Sequence, residues 1–197
     1  VTPFYRVARG ICKIVCIALW RFKAVGVENV PLDGPLIVAC NHVSYLDPVA
    51  LGVGAPRMLT YLAKKQLFDI PVLGPIIRGC GAYPLDRNAG VAAVRVALRV
   101  LKEGRAVGIF PEGTRNLQGD AAEKGGAAFL AALSGAPVVP AAVAGTKDAK
   151  RFAQIRVAYG KPMTIVRNRK AEADDLEKWT AEIMRCIREL EESIGGN

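Results

Sequence analysis

The stretch Leu36-Ile-Val-Ala-Cys-Asn-His-Val-Ser-Tyr-Leu-Asp-Pro-Val-Ala-Leu51 decides how the chain folds. Its first five residues, Leu36 to Cys40, form an apolar run without polar alternation. Such a run reads as a strand buried on both faces, as in a parallel sheet covered by helices. Asp47-Pro48 then opens an apolar segment, with Pro at the first position that a helix tolerates. Between strand and helix lies His42, the only histidine of the chain, with Asp47 five residues on. Imidazole is the side chain that titrates unperturbed near neutral pH, so any such acid–base chemistry falls to His42.

Outward from this stretch, strand-like and helix-like segments alternate. Ala24 to Val30 reads as a strand and Pro31 to Pro35 as a turn. Met58 to Ala63 is a strand followed by Lys64-Lys65, and Pro71 and Pro75 interrupt the apolar run Phe68 to Ile77. Gly79 to Arg87 is a turn and a short strand ending in charge. Asn88 caps a helix whose stripe is Val91, Val94, Leu98 and Leu101, and Gly104 ends it. Ala106 to Phe110 is a strand running into Pro111-Glu-Gly-Thr-Arg115. A small-residue helix follows over Lys124 to Leu133, and Pro137 to Val143 is again a strand. The uncharged stretch Gly126 to Thr146 is long enough to span a membrane, but Gly, Ser and paired prolines break it up. Ile155 to Tyr159 and Met163 to Val166 are strands, and Leu176, Trp179, Ile183, Ile187, Leu190 and Ile194 mark a terminal amphipathic helix. This order predicts one α/β domain, residues 24–197, with a largely parallel central sheet flanked by helices.

Residues 1–23 form a separate amphipathic helix. Phe4, Val7, Ile11, Ile14, Val15 and Ala18 fall on one face, and Arg6, Arg9 and Lys13 fall opposite. The segment is too short and too charged to span a bilayer. It suits a helix lying in the membrane interface with its cations toward anionic headgroups. The competing reading is a helix packed on its own domain. The formal net charge of +9, a pI of about 9.5 and a mean hydropathy of +0.22 favour an anionic membrane surface or a phosphorylated substrate. No zinc-finger, RRM or aromatic-interleaved basic block supports a nucleic-acid partner. Five cysteines without Cys-x-x-Cys spacing, beside one histidine, make no zinc set. Most sit among apolar neighbours and read as buried thiols of a reducing compartment.

His42, Arg87, Glu112 and Gly145 each follow a predicted strand directly, and parallel sheets gather functional groups at carboxyl ends. Asp47 can orient the imidazole and leave its far nitrogen as a base. Asp47 before Pro48 is also an ordinary helix cap. Asn41 can satisfy a turn, and Ser44 can cap the helix or serve as the nucleophile of a Ser-His-Asp hydrolase. No Gly-x-Ser-x-Gly elbow supports the hydrolase. The turn carrying Gly113 and Arg115 suits a phosphate, and Arg87 offers a second guanidinium.

These motifs resemble the 1-acylglycerol-3-phosphate acyltransferases of the glycerolipid acyltransferase superfamily. Asn41-His42-Val-Ser44-Tyr-Leu-Asp47 is similar to the family's Asn-His-x-Ser-x-x-Asp block. Gly81-Ala-Tyr83-Pro-Leu-Asp-Arg87, Phe110-Pro111-Glu112-Gly113-Thr114-Arg115 and Val138-Val-Pro140-Ala-Ala-Val-Ala-Gly145-Thr resemble the next three blocks, in the family's order. The resemblance covers about Asn29 to Lys161. It implies acyl transfer from a thioester, on CoA or acyl carrier protein, to the 2-hydroxyl of lysophosphatidate, giving phosphatidate. It implies His42 as general base and Asp47 as its partner. Asn41, Lys64, Lys65, Arg87, Glu112, Gly113, Thr114 and Arg115 are the implied substrate-binding residues, the two lysines being alternatives for the phosphate or the oxyanion. Neither a metal nor a cofactor is implied. The expected location is the cytoplasmic face of the cell membrane, as a peripheral or monotopic protein. Other lipid acceptors and a non-catalytic membrane-binding module remain alternatives.

Overall fold

The structure is a computed structural model; it describes residues 2–86, 90–112, 125–147, 149, 153–168 and 170–195. Its seven strands are β1 Lys23–Val25, β2 Leu36–Cys40, β3 Leu59–Lys64, β4 Tyr83–Leu85, β5 Ala106–Ile109, β6 Val138–Ala144 and β7 Arg156–Tyr159. The helices are α1 Pro3–Trp20, α2 Asp47–Gly54, α3 Leu73–Gly79, α4 Gly90–Lys102, α5 Gly126–Ser134 and α6 Ala173–Gly195.

The strands form one sheet in the order β1-β7-β6-β2-β5-β3-β4. From β6 to β4 every neighbouring pair is parallel, and β7 runs antiparallel to β6. The sheet is therefore largely parallel, as the unalternating apolar strands require. All five residues of β2 are fully buried. Period-two alternation sends Ile37 and Ala39 into a core with α4, α5 and α6, and Leu36, Val38 and Cys40 into a core with α2. One central strand thus fastens both layers.

Several elements differ from their sequence reading. The segment expected as a strand to Val30 stops at Val25, because Gly26 takes φ 67° and starts a 3₁₀ turn over Val27–Asn29. Met163 to Val166 makes only an isolated bridge, Met163 with Val138. The Phe68 to Ile77 run divides into a 3₁₀ turn, Lys65–Phe68, and α3. Asn88, expected as a cap, lies outside the described residues.

Helix α1 packs across α2. It turns Tyr5 and Cys16 inward and leaves Phe4, Val7, Ile11, Ile14 and Val15 exposed. Arg9 does not stay with the outward cations. Its guanidinium donates to the carbonyls of Gly52, Val53 and Ala55 at 3.3, 3.1 and 2.5 Å. Those carbonyls end α2, where helical partners run out and negative partial charge collects. No helix among the described residues is long and apolar enough to cross a membrane. Of the five cysteines, Cys16 and Cys40 are buried and Cys12, Cys80 and Cys186 half-buried; all are free thiols.

Candidate active site

Because β6, β2, β5, β3 and β4 are parallel, their carboxyl ends share one edge of the sheet. The residues that follow them there are Gly145-Thr146, Asn41-His42, Phe110 to Glu112, Lys65 and Asp86. The topology brings the described parts of these motif-bearing turns to this single edge. Arg87, Gly113, Thr114 and Arg115 lie outside the described residues.

The imidazole of His42 meets Asp47 across a 2.9 Å bond from Nδ1 to Oδ2. Asp47 sits in the first turn of α2 yet does not cap that helix. Its Oδ2 accepts from the backbone N–H groups of Val43 and Ser44, both at 2.7 Å, ahead of the helix. These bonds bend residues 42–44 around the carboxylate and aim the imidazole back at it. Asp47 is fully buried, and its other oxygen accepts from the Thr146 hydroxyl at 2.5 Å. A short O–H···O⁻ bond of this kind is among the stronger hydrogen bonds in proteins. With Nδ1 donating to the carboxylate, Nε2 of a neutral imidazole carries the free lone pair.

Phe110 stacks on the imidazole, with ring centroids 4.2 Å apart and planes at 25°. Tyr61 lies beyond it, 6.2 Å from Phe110. The imidazole is thus held in position by a carboxylate at one nitrogen and an aromatic face along its plane. Glu112 is buried, and its Oε2 accepts from the His42 backbone N–H at 3.3 Å. That bond ties the turn after β5 to the turn after β2.

Asn41 spends its amide on the protein. Its Nδ2 donates to the Val143 carbonyl at 3.0 Å and to Glu191 Oε1 at 3.1 Å, and its Oδ1 accepts from Val143 N–H at 2.8 Å. It is 3 % exposed, so its polar atoms face β6 and α6, where the sequence reading had it at the substrate. Ser44 Oγ accepts from Leu46 N–H at 3.3 Å, which makes it part of the turn. Burial first, then the carboxylates of Asp47, Glu191 and Glu112, push the Cys40 thiol well above its ordinary range. It stays protonated and is no nucleophile. Lys64 and Lys65 are exposed at the end of β3.

Three contributors carried no signal sufficient to assign them a role in advance. Thr146 stood inside a recognised block, but only the fold brings it to Asp47, 99 residues away in sequence. Phe110 read as the end of a core strand. Glu191 lies 150 residues from Asn41 on the polar side of a terminal helix. Its carboxyl is pushed above the usual range by burial and the nearby Asp47, while Asn41 pulls the other way. Beside the site, an apolar crevice of about 210 Å³ separates α1 from α2, with Ile11, Val15, Trp20, Leu46 and Val49 in its walls.

An imidazole oriented by a buried carboxylate at the carboxyl edge of a parallel sheet has the geometry that general-base chemistry needs. The chain belongs to the Acyltransferase family, whose family model matches residues 21–144. A relative from Bacillus subtilis (strain 168), the 1-acyl-sn-glycerol-3-phosphate acyltransferase, is 34% identical over 164 residues, 81% of this chain and 82% of that protein. The protein of the same name from Streptococcus pneumoniae (strain ATCC BAA-255 / R6) is 28% identical over 96% of this chain and 74% of its own length. Among solved structures, the 1-acyl-sn-glycerophosphate (LPA) acyltransferase PlsC from Thermotoga maritima superposes with a TM-score of 0.76 at 26% identity, covering 95% of this chain and 79% of that one.

Proposed function

We propose that this acyltransferase moves an acyl chain from a thioester, on CoA or acyl carrier protein, to the 2-hydroxyl of 1-acylglycerol-3-phosphate at a membrane surface. The observation that carries the reading is the bond between His42 Nδ1 and the fully buried Asp47 carboxylate. Family membership and the names of the relatives supply the substrate class.

In this reading Nε2 of His42 takes the proton of the acceptor hydroxyl as its oxygen attacks the thioester carbonyl. The carbon–sulfur bond breaks, the ester forms, and the imidazolium returns its proton to the departing thiolate. Asp47 fixes the tautomer and stabilises the imidazolium while it exists. No protein nucleophile takes part, which agrees with a turn-bound Ser44 and a protonated Cys40. Glu112 serves as a brace, since a carboxylate repels a phosphate. The acceptor phosphate falls to Arg87 and Arg115 with Lys64 or Lys65, cations suited to that anion. The exposed apolar ridge of α1 rests on the membrane at its cytoplasmic face and brings the sheet edge to a lipid acceptor.

The test is thiol release by purified protein given lysophosphatidate and either donor, with lipid products identified. We expect phosphatidate, and a loss of roughly 10²–10⁴-fold in rate for His42→Ala. Equal rates for parent and variant overturn the reading. A preference for a lipid lacking phosphate removes the role given to the cations.

A further inference from the structure

Helix α3 packs in an unusual way. Of its seven residues only Gly74 is buried, set against the backbone of Phe68. Val72, just ahead of it, is 74% exposed, and Leu73 and Ile76 are 38% and 42% exposed. Ile70 adds a fourth open aliphatic side chain. Val72 also holds φ 70° and ψ −52°, a region that a β-branched residue rarely enters. Strain of this kind persists where a function requires it or the surroundings impose it. Here it accompanies an apolar side chain turned into solvent.

This stripe is not isolated. The Phe4 ring of α1 fills the space that a Cβ at Gly79 would need, so the first turn of α1 touches the last turn of α3. Phe4, Val7, Ile11 and Ile14 then continue the apolar surface along α1. Scattered single hydrophobics need no explanation, but two adjoining stripes of aliphatic side chains do. Exposed cations accompany them, Arg6 and Lys13 on α1 and Lys64 and Lys65 ahead of α3, while Arg78 of α3 lies over the Phe68 ring, 5.3 Å from its centroid. Asp69 is the one carboxylate between residues 64 and 79. An aliphatic face accompanied by cations matches an anionic lipid surface, acyl chains against the stripe and headgroups against the cations.

We propose that residues 70–76, joined to α1 through Phe4, form a second bilayer contact that inserts Val72 and Leu73 into an anionic phospholipid membrane. The inference rests on the membrane-surface reading of α1 and adds a distinct site to it. Its consequence is geometric. The segment follows β3, whose carboxyl end shares an edge with His42. Two contacts, on α1 and before α3, fix the tilt of that edge against the bilayer, where one helix alone leaves the domain free to roll.

The test uses vesicles of phosphatidylcholine and phosphatidylglycerol with brominated acyl chains, and the variants Val72→Trp and Ile14→Trp. Quenching above that of the parent, which has its own Trp20 and Trp179, reports acyl-chain contact at each position. We expect quenching at both. Quenching at position 14 alone overturns the second contact and leaves the α1 reading standing. Quenching at neither position removes both. Independently, the pair Val72→Asp and Leu73→Asp should lower vesicle partitioning at least about tenfold, given the worth of each buried side chain. Turnover of a micellar acceptor should stay at the parent level and certify the fold. Unchanged partitioning overturns the proposal.

Discussion

Asp47 is fully buried and receives four donors among the described residues: the imidazole, two backbone N–H groups and the Thr146 hydroxyl. A buried carboxylate is tolerated only when its lone pairs are satisfied. Thr146 is the donor that neither the local turn nor the imidazole replaces. Thr146→Val should therefore leave Oδ1 without a partner and cost about 1.5–3 kcal/mol of stability. It should also lower kcat, with KM for the acceptor little changed, because the imidazole loses its fixed orientation. Thr146→Ser should restore both quantities. Denaturant unfolding and steady-state rates check this, and a valine variant with parent values would sink it.

At the scale of elements, the site depends on helices far from it in sequence. Arg9 fastens α1 to the carbonyl end of α2, whose other end carries Asp47. Helix α6 reaches the turn that carries His42 through Glu191 and Asn41. Burial raises the Glu191 carboxyl above its ordinary value. The folded protein therefore holds that proton at a higher pH than the unfolded chain. Its contribution to stability is complete below the unfolded value and lost as pH rises through the raised folded one. Glu191→Gln keeps an acceptor for Asn41 and removes the titration. The variant should lose part of the fall in stability with pH just above the normal carboxylate range, and gain melting temperature at neutral pH relative to the parent. Thermal melts from pH 4 to 8 test this; superimposable profiles would refute it.

At the scale of the molecule, charge and shape act together. The net charge of +9 includes Arg6 and Lys13, both exposed on α1, whereas Arg9 is committed to α2. Electrostatic attraction to anionic lipid is screened within about a Debye length, so it weakens with salt. Arg6→Glu with Lys13→Glu should reduce binding to phosphatidylglycerol vesicles by roughly tenfold or more, at about 1 kcal/mol per cation near the surface and more for reversal. Binding to neutral vesicles should change little. Sedimentation at low and high salt measures both. Equal binding of parent and variant to anionic vesicles would mean that α1 is purely structural.

The sequence by itself determined the class of fold and singled out one imidazole, His42, as the candidate base. A five-residue strand with no alternation demands cover on both faces, and alternating strand and helix signals then leave a parallel sheet as the solution. A single histidine with Asp47 beyond a strand end put both groups within one turn and left Asp47 as either its partner or a helix cap. The extents of β1 and α3 were less legible: Gly26 ends the first, and the paired prolines blur the second. Only the tertiary structure decided which alternative use of Asp47 holds. Its carboxylate turns away from α2 because the N–H groups of Val43 and Ser44 and the Thr146 hydroxyl converge on it. Only the tertiary structure, likewise, turned Asn41 inward, brought Glu191 to it, and left the apolar ridge of α1 outside while drawing Arg9 under. Periodicity tells which residues share a helix face, but not which face meets the domain. That choice depends on partners distant in sequence: the carbonyls that end α2, the glycine that admits Phe4, and the strand that delivers Thr146.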